Sequence, residues 1–284
     1  MKESLGQYRT PDGKSLSFRK WQGRGDIIVY LHGIESNSGW FSQLASQLAE
    51  RGFTLYGIDR RGSGLNHEDR GDIEDYNIFF DDIEDALKFV KAENAGKKIY
   101  LLGICWGALL AVNYALRKRI SADGLILLSP AIYRRVDLSP VVKIAAKISS
   151  FFYPKAHFKI PINDRMFTDN KRYIDFIKND KMRLRSLTCR FFNQIIRMET
   201  DFEAIKNKLL LPVVVLLAGH DEIVDNERVK KWFSGILSRD KAMRVFDGSY
   251  HVMPFEEDIT PLVDCINDWV KEKEMSFESQ SIKN

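Results

Sequence analysis

Cys105 stands between two glycines and is the chain's first candidate for covalent chemistry. The motif Gly103-x-Cys105-x-Gly107 separates the apolar run 99–102 from the apolar segment 108–116, which predicts a strand, a sharp turn and a helix. Glycines let a strand and a helix pass close together, and a helix N-terminus favours the thiolate form of a cysteine. We therefore expect Cys105 to act as a nucleophile. The alternative is a structural cysteine that packs like a small hydrophobe.

A carboxylate that could orient a catalytic histidine comes later in the chain. Asp221 follows the apolar run 212–217 closely. A carboxylate in this position can hold a histidine in one tautomer and stabilise its charged form. Asp225 is the nearest rival, although it is better suited to cap a helix that begins near residue 226. Asp137 is a weaker candidate.

His251 is the predicted general base and general acid. It follows the last predicted strand, 243–246, in a loop that can fold back over the turn at Cys105. A lone histidine in a loop is more often a solvated surface residue, but its place after the final strand favours the catalytic interpretation. His220 is the second choice, because its position beside the acid suits packing better.

The end of the first long apolar run predicts an oxyanion hole. His32 and Gly33 follow the run 27–31. We expect the backbone N–H groups of Ile34 and Trp106 to point together at a developing oxyanion. His32 itself is then structural.

Apolar runs that alternate with helical patterns must position these residues. Strands are predicted near 16–21, 27–31, 53–58, 99–103, 125–128, 212–217 and 243–246, and helices near 40–50, 81–90, 108–116, 226–237 and 260–273. Such alternation implies an α/β fold with a doubly wound, mostly parallel sheet. The alternation of strands and helices stops at residues 131–208, where the sequence predicts several short helices. We name residues 131–208 the inserted segment. We expect a core of 1–130 and 209–275, an inserted helical lid of 131–208, and a frayed polar tail of 276–284.

Composition and charge narrow the class of protein. The chain has 284 residues, of which 44% are hydrophobic and 29% charged, as in ordinary globular proteins. No signal-peptide pattern opens the sequence and the three cysteines form no disulfide or metal pattern, so we expect a cytoplasmic protein. The inserted segment holds 17 Lys and Arg against 8 Asp and Glu, a net +9, whereas the remainder is −5. The apolar stretch 99–116 is not a predicted membrane span, because two glycines divide it.

Together these motifs resemble the α/β-hydrolase fold, and more narrowly the monoacylglycerol lipase and lysophospholipase-like group. The resemblance covers residues 16–270 and rests on His32-Gly33-Ile34, Ser38-Gly39-Trp40-Phe41, Asp59-x-Arg61-Gly62-x-Gly64, Gly103-x-Cys105-x-Gly107, Gly219-His220-Asp221-Glu222-Ile223-Val224 and His251. It implies a helical lid over the active site, in agreement with the inserted segment. Two features depart from the group: Cys105 replaces a serine, and Ile-Glu-Ser-Asn follows His32-Gly33 where monoglyceride lipases typically have a small residue and then Gly-Glu-His.

A cysteine nucleophile changes the expected chemistry. The acyl intermediate becomes a thioester, which reacts with amines and thiols far more readily than an ester does. The sequence therefore predicts an acyl hydrolase for esters, thioesters or lactones that works through Cys105, His251 and Asp221; dienelactone hydrolases are similar in using cysteine at this elbow. An acyltransferase with an amine or thiol acceptor is the alternative. A non-catalytic binding protein is a third hypothesis, against which the presence of Asp221 and His251 counts. Whether Cys105 is the natural residue or a replacement for serine is left open by the sequence.

The aromatic residues and positive charge of the inserted segment indicate which substrates and partners the protein could bind. Its aromatic side chains among Lys and Arg suit a small acyl substrate that carries an anion, an acidic acyl-carrier protein, or a membrane surface. Arg183 and Arg185 are the residues we expect to meet such an anion. The plainer alternative is that the aromatic residues form the segment's own core and its charges are solvated. We expect no cofactor, no metal ion and no nucleic-acid partner.

Overall fold

Strands and helices alternate in the computed structural model, which describes residues 2–117, 122–137 and 139–281. The strands are β1 (Glu3–Arg9), β2 (Ser15–Trp21), β3 (Ile27–Leu31), β4 (Thr54–Ile58), β5 (Ile99–Ile104), β6 (Gly124–Leu128), β7 (His157–Lys159), β8 (Ser186–Thr188), β9 (Val213–His220) and β10 (Lys241–Tyr250). The helices are α1 (Ser42–Glu50), α2 (Asn77–Glu93), α3 (Trp106–Leu116), α4 (Pro140–Phe152), α5 (Lys171–Asn179), α6 (Cys189–Ile205), α7 (Asn226–Gly235) and α8 (Thr260–Ser281).

The central sheet is mostly parallel. Within the described ranges it has eight strands, in the order β1-β2-β4-β3-β5-β6-β9-β10. β1 and β2 pair antiparallel, as do β2 and β4, and every pairing from β4 to β10 is parallel. Helix α1 packs on α8 and α2 packs on α3. The predicted α/β fold is confirmed.

The most buried strands bring the candidate residues to one edge of the sheet. All residues of β3, β5 and β6 are buried, as expected for parallel strands covered on both faces. In the register of β3 and β5, Leu31 lies opposite Gly103. The chain that leaves β3 and the chain that leaves β5 therefore emerge side by side.

The inserted segment lies between β6 and β9 and contains α4, α5 and α6, with Leu138 outside the described residues. The predicted short helices are present, and α4 packs on α6. A two-stranded antiparallel ladder of β7 and β8, in which His157 lies opposite Thr188, was not predicted. Strands of three residues are too short to show an alternating pattern.

Two other elements differ from the sequence-based expectation. β1 has no apolar pattern and is mostly exposed, so its pairing with β2 rather than its own composition defines it. The tail expected to fray from residue 276 continues α8 as far as Ser281, because no Gly or Pro interrupts 274–281. Residues 282–284 lie outside the described part of the chain.

Across the described ranges, no helix is both long enough and apolar enough to span a bilayer.

Candidate active site

Cys105 occupies a strained turn between β5 and α3. Its backbone has φ 56° and ψ −120°, in the left-handed half of conformational space that a residue with a side chain rarely adopts. A Cβ at Gly103 would lie 2.4 Å from the Cα of Ala108, and one at Gly107 would lie 2.1 Å from the carbonyl oxygen of Leu31. Both glycines are therefore required for the close passage of strand and helix, and the predicted strand, turn and helix are present.

His251 and Asp221 form a buried pair. Nδ1 of His251 lies 2.8 Å from Oδ2 and 2.9 Å from Oδ1 of Asp221. The same Oδ1 accepts the backbone N–H groups of Ile223 and Val224, at 2.9 and 2.8 Å. These two amides fix the carboxylate, so it holds the imidazole in one orientation. Because His220 and Tyr250 are paired between β9 and β10, the residues that follow them come together.

The rival residues serve other purposes. Asp225 accepts the backbone N–H of Arg228 at 3.1 Å and caps the N-terminus of α7, as its position suggested. Asp137 is exposed and pairs with the side chain of Lys143. His220 is exposed beside the ring of Tyr250. The structure therefore brings together Cys105, His251 and Asp221, and gives the three alternatives other partners.

The electrostatic surroundings of His251 favour its charged form. Burial alone would lower the pKa of this imidazole, but the charges of Asp221 and Cys105 and the hydrogen bond to Asp221 outweigh burial and raise the pKa to about 10. Nε2 is buried and makes no hydrogen bond of good geometry among the described residues, and Cys105 is the acidic group on that side. This arrangement stabilises the protonated form of the His251 imidazole.

The loop after β3 lies directly against the thiol. A Cβ at Gly33 would lie 3.2 Å from the Cβ and 3.6 Å from the Sγ of Cys105. Within the described chain, the backbone N–H groups of Ile34 and Trp106 donate to no other protein group. Trp106 is the first residue of α3, where backbone N–H groups have no partner inside the helix. Both predicted oxyanion-hole donors therefore remain available to a ligand.

A network around His32 fixes this loop. The backbone N–H of Arg60 donates to Nε2 of His32 at 3.1 Å, so Nδ1 carries the proton and donates to the carbonyl of Gly33 at 2.9 Å. Burial, together with the charge of Arg60, lowers the pKa of His32 well below its usual value, which keeps the ring neutral. His32 is therefore structural. The turn that begins at Asp59 links the loops, because its carboxylate accepts the N–H groups of Ser38 and Leu65, at 2.7 and 3.0 Å.

A buried ion pair joins the inserted segment to the same loop. Nε and Nη2 of Arg183 lie 2.7 and 2.5 Å from Oε2 of Glu35, and Nη1 lies 2.5 Å from Asp164. The backbone N–H of Leu184 also donates to the carbonyl of Glu35 at 2.9 Å. Burial raises the pKa of Glu35 to about 7, although Arg183 opposes that shift. Sequence reasoning did not find this pair, because its partners are 148 positions apart.

Arg183 is therefore not the free cation that the charge pattern suggested, and much of the other positive charge is also paired. Arg190 contacts Asp72, and Arg134 contacts Glu199 at 2.8 Å. Arg185 is exposed and donates to the carbonyl of Lys178 at 2.7 Å.

A mainly apolar cavity of about 60 Å³ opens from Cys105 into the inserted segment. Most of its lining residues come from that segment, and they include the apolar Phe158, Ile160, Leu187 and Phe192 and the charged Arg134 and Asp137. Phe158 and Phe192 meet edge to face, with ring centroids 5.0 Å apart. Other aromatic side chains of the segment, on α4, are exposed. The segment's aromatic residues thus divide between a buried lining and an outer face.

Comparisons with known proteins identify the family and the fold of the chain. The sequence model of the family described as serine aminopeptidase, S33, matches residues 24–258. Phospholipase YtpA of Bacillus subtilis (strain 168) is 26% identical over 238 residues, which cover 82% of this chain and 91% of the relative. The monoglyceride lipase of Homo sapiens is 25% identical over 269 residues, which cover 92% and 88%. A soluble variant of monoglyceride lipase from Saccharomyces cerevisiae, solved with a substrate analog, matches with a TM-score of 0.82 at 19% identity over 96% of this chain and 95% of that one.

Proposed function

The chain belongs to the serine aminopeptidase S33 family of α/β-hydrolases, and on that premise we propose that it is an acyl hydrolase whose nucleophile is Cys105. One observation carries the proposal. A thiol at a strained turn faces a buried His251–Asp221 pair and opens onto an apolar cavity. This arrangement provides a nucleophile, a proton carrier and an orienting carboxylate, which are the parts that acyl transfer requires.

In the acylation step, the thiol proton of Cys105 resides on His251, and the Cys105 sulfur attacks the carbonyl carbon of the substrate. A C–S bond forms while the carbonyl π pair moves to oxygen. The N–H groups of Ile34 and Trp106 stabilise the resulting oxyanion. When the oxyanion collapses, the ester C–O bond breaks and His251 protonates the departing alkoxide. Asp221 stabilises the imidazolium in the meantime.

In the deacylation step, His251 takes a proton from water, and the hydroxide attacks the acyl thioester. The C–S bond breaks, a carboxylic acid leaves, and the Cys105–His251 pair is restored. An amine acceptor would follow the same route and leave an amide instead. The partition between water and amine therefore separates the hydrolase from the acyltransferase.

We propose an aliphatic lipid ester as the substrate. The cavity lining is mostly apolar, and the relatives named above are a phospholipase and monoglyceride lipases. A space of about 60 Å³ is far below the ~300 Å³ or more of typical ligand pockets. A longer acyl chain therefore requires side chains or helices of the inserted segment to move outward.

The outer face of α4 supports an encounter with a membrane surface. Val141, Ile144, Ile148 and Phe151 are 75, 61, 59 and 82% exposed, and their spacing places them on one side of the helix. The exposed Lys147 supplies a positive charge on the same helix. An amphipathic helix of this kind binds lipid through its apolar face and anionic headgroups through its cations. We therefore propose a membrane surface, rather than an acyl-carrier protein, as the partner of α4.

Vesicle flotation tests the membrane contact. The chain should float with vesicles that contain phosphatidylcholine and phosphatidylglycerol, and Phe151→Glu should abolish most of that binding. Leu237→Glu is the matched control, because Leu237 is 60% exposed outside the inserted segment. Equal loss in both variants, or no flotation of the parent chain, would contradict the proposal.

A substrate panel tests the activity. We expect the chain to release fatty acid from a monoacylglycerol, a lysophospholipid or an acyl thioester of matched chain length. Cys105→Ala should lower turnover by at least about 10³-fold. Cys189→Ala, which removes an equally buried cysteine at the start of α6, should leave turnover within about twofold. Acyl transfer mainly to an added amine would identify an acyltransferase, and no turnover of any acyl donor would refute enzymatic activity.

A further inference from the structure

We infer that Arg60 is a positioning residue of the oxyanion hole, because its guanidinium holds the peptide that carries the Ile34 N–H. Nη2 of Arg60 donates to the carbonyl of Gly33 at 3.0 Å and to the carbonyl of Ile34 at 2.8 Å. The inference rests on the proposed acyl hydrolase function, since the oxyanion arises only in that reaction.

Peptide stereochemistry links the guanidinium to the donor. The Gly33 carbonyl and the Ile34 N–H belong to one planar trans peptide, in which the two groups point in opposite directions. When Arg60 holds the carbonyl on one side, the N–H must point to the other. Gly33 lies against Cys105, so Arg60 fixes the direction of this N–H close to the thiol.

Arg60 and His32 together fix this single peptide. The Gly33 carbonyl accepts Nδ1–H of His32 as well as Nη2–H of Arg60, and the backbone of Arg60 orients the His32 ring. A carbonyl that accepts two donors, one of them charged, is polarised, and hydrogen bonds along such a chain strengthen one another. The Ile34 N–H thereby becomes a better donor to an oxyanion.

The charge of Arg60 is buried without an ion-pair partner among the described residues. Its side chain is enclosed, Nε and Nη1 lack hydrogen-bond partners there, and its guanidinium carbon lies 4.9 Å from the centre of the Trp106 ring. Burial lowers the pKa of Arg60 to about 9, against the opposing effects of Asp59 and Cys105. A cation in this position also favours negative charge that develops at the reacting carbonyl.

The test compares turnover with thiol reactivity in variants of Arg60 and in one control variant. Arg60→Met should lower kcat by about 10- to 100-fold while KM stays within about threefold, because the donor acts on the transition state. Alkylation of Cys105 by iodoacetamide forms no oxyanion, so its rate should fall by less than kcat does, since only the loss of the Arg60 charge near the thiol affects it. Arg60→Lys should recover part of kcat, because it keeps the charge and one donor.

Arg117→Met is the matched control, since Arg117 also donates to a carbonyl and lies over an aromatic ring, but at the far end of α3. It should leave kcat within about twofold. If Arg60→Met does not fold, as judged by circular dichroism, Arg60→Lys and Arg60→Gln carry the test. Unchanged kcat in the folded variants, or an equal fall in kcat and alkylation rate, would overturn the inference. A parent chain with no turnover would instead refute the proposed function.

Discussion

Replacement of Glu35 by glutamine changes one buried carboxyl group and leaves its shape nearly intact. Glu35 binds Arg183 through Oε2 and thereby joins the inserted segment to the loop beside Cys105. Burial raises the pKa of this carboxyl from 4.5 to about 7, although Arg183 lowers it and Asp164 raises it further. Glutamine resembles the protonated form and cannot titrate, so the variant isolates the contribution of this one group.

The sign of the effect follows from proton linkage. Between pH 4.5 and about 7 the folded chain binds more protons at Glu35 than the unfolded chain does, so stability falls as pH rises through that window. A tenfold change in an ionisation constant corresponds to about 1.4 kcal/mol. We expect the parent chain to lose about 2–3 kcal/mol of unfolding free energy relative to Glu35→Gln between pH 5 and pH 8.

Urea unfolding of both chains at pH 5 and pH 8 measures this difference, because contributions from all other groups cancel. Glu74→Gln is the control: Glu74 pairs with Arg190 at the surface, and its replacement should change stability by less than about 1 kcal/mol at either pH. A parent chain that gains stability relative to Glu35→Gln as pH rises would show that Arg183, not burial, governs this carboxyl.

Two further substitutions test the site and its scaffold. Asp221→Asn should lower kcat by about 10²- to 10³-fold, less than the ~10⁴-fold of a serine triad, because a thiol ionises more readily than a hydroxyl; Asp225→Asn should leave kcat within about twofold, and the reverse order would show that the acid is misassigned. Gly107→Ala should destabilise the fold by at least about 2 kcal/mol in urea unfolding, because a Cβ would lie 2.1 Å from the Leu31 carbonyl. Gly248→Ala, where a Cβ would meet nothing within 4 Å, should cost less than about 1 kcal/mol, and equal costs at the two glycines would contradict the packing argument.

Sequence reasoning reached the fold and the arrangement of Cys105, His251 and Asp221 for a physical reason. Cys105 and Asp221 follow the largely buried strands β5 and β9, and buried parallel strands leave a strong apolar signal, whereas His251 follows the half-exposed edge strand β10. Parallel strands also end at one edge of the sheet, so residues that follow them gather without any knowledge of side-chain contacts. The three residues meet although Cys105 and His251 are far apart in the chain.

The parts that sequence reasoning missed depend on contacts between side chains. Arg60 occupies an unspecified position of the motif Asp59-x-Arg61-Gly62-x-Gly64, and only the fold shows its guanidinium on the carbonyls of Gly33 and Ile34. Glu35 and Arg183 carried no pattern that could pair them, and the net charge of the inserted segment concealed that Arg183 is buried. Composition reports how many charges a segment has, whereas their partners depend on tertiary structure.

Mass analysis of the acylated chain identifies the residue that carries the acyl group. The chain is mixed with an acyl thioester, quenched in acid within the first turnovers, and digested for peptide mapping. We expect one added acyl group in place of one hydrogen, on the peptide that contains Cys105, and its release by neutral hydroxylamine. Acylation of a different residue, or turnover that persists in Cys105→Ala, would show that Cys105 is not the nucleophile.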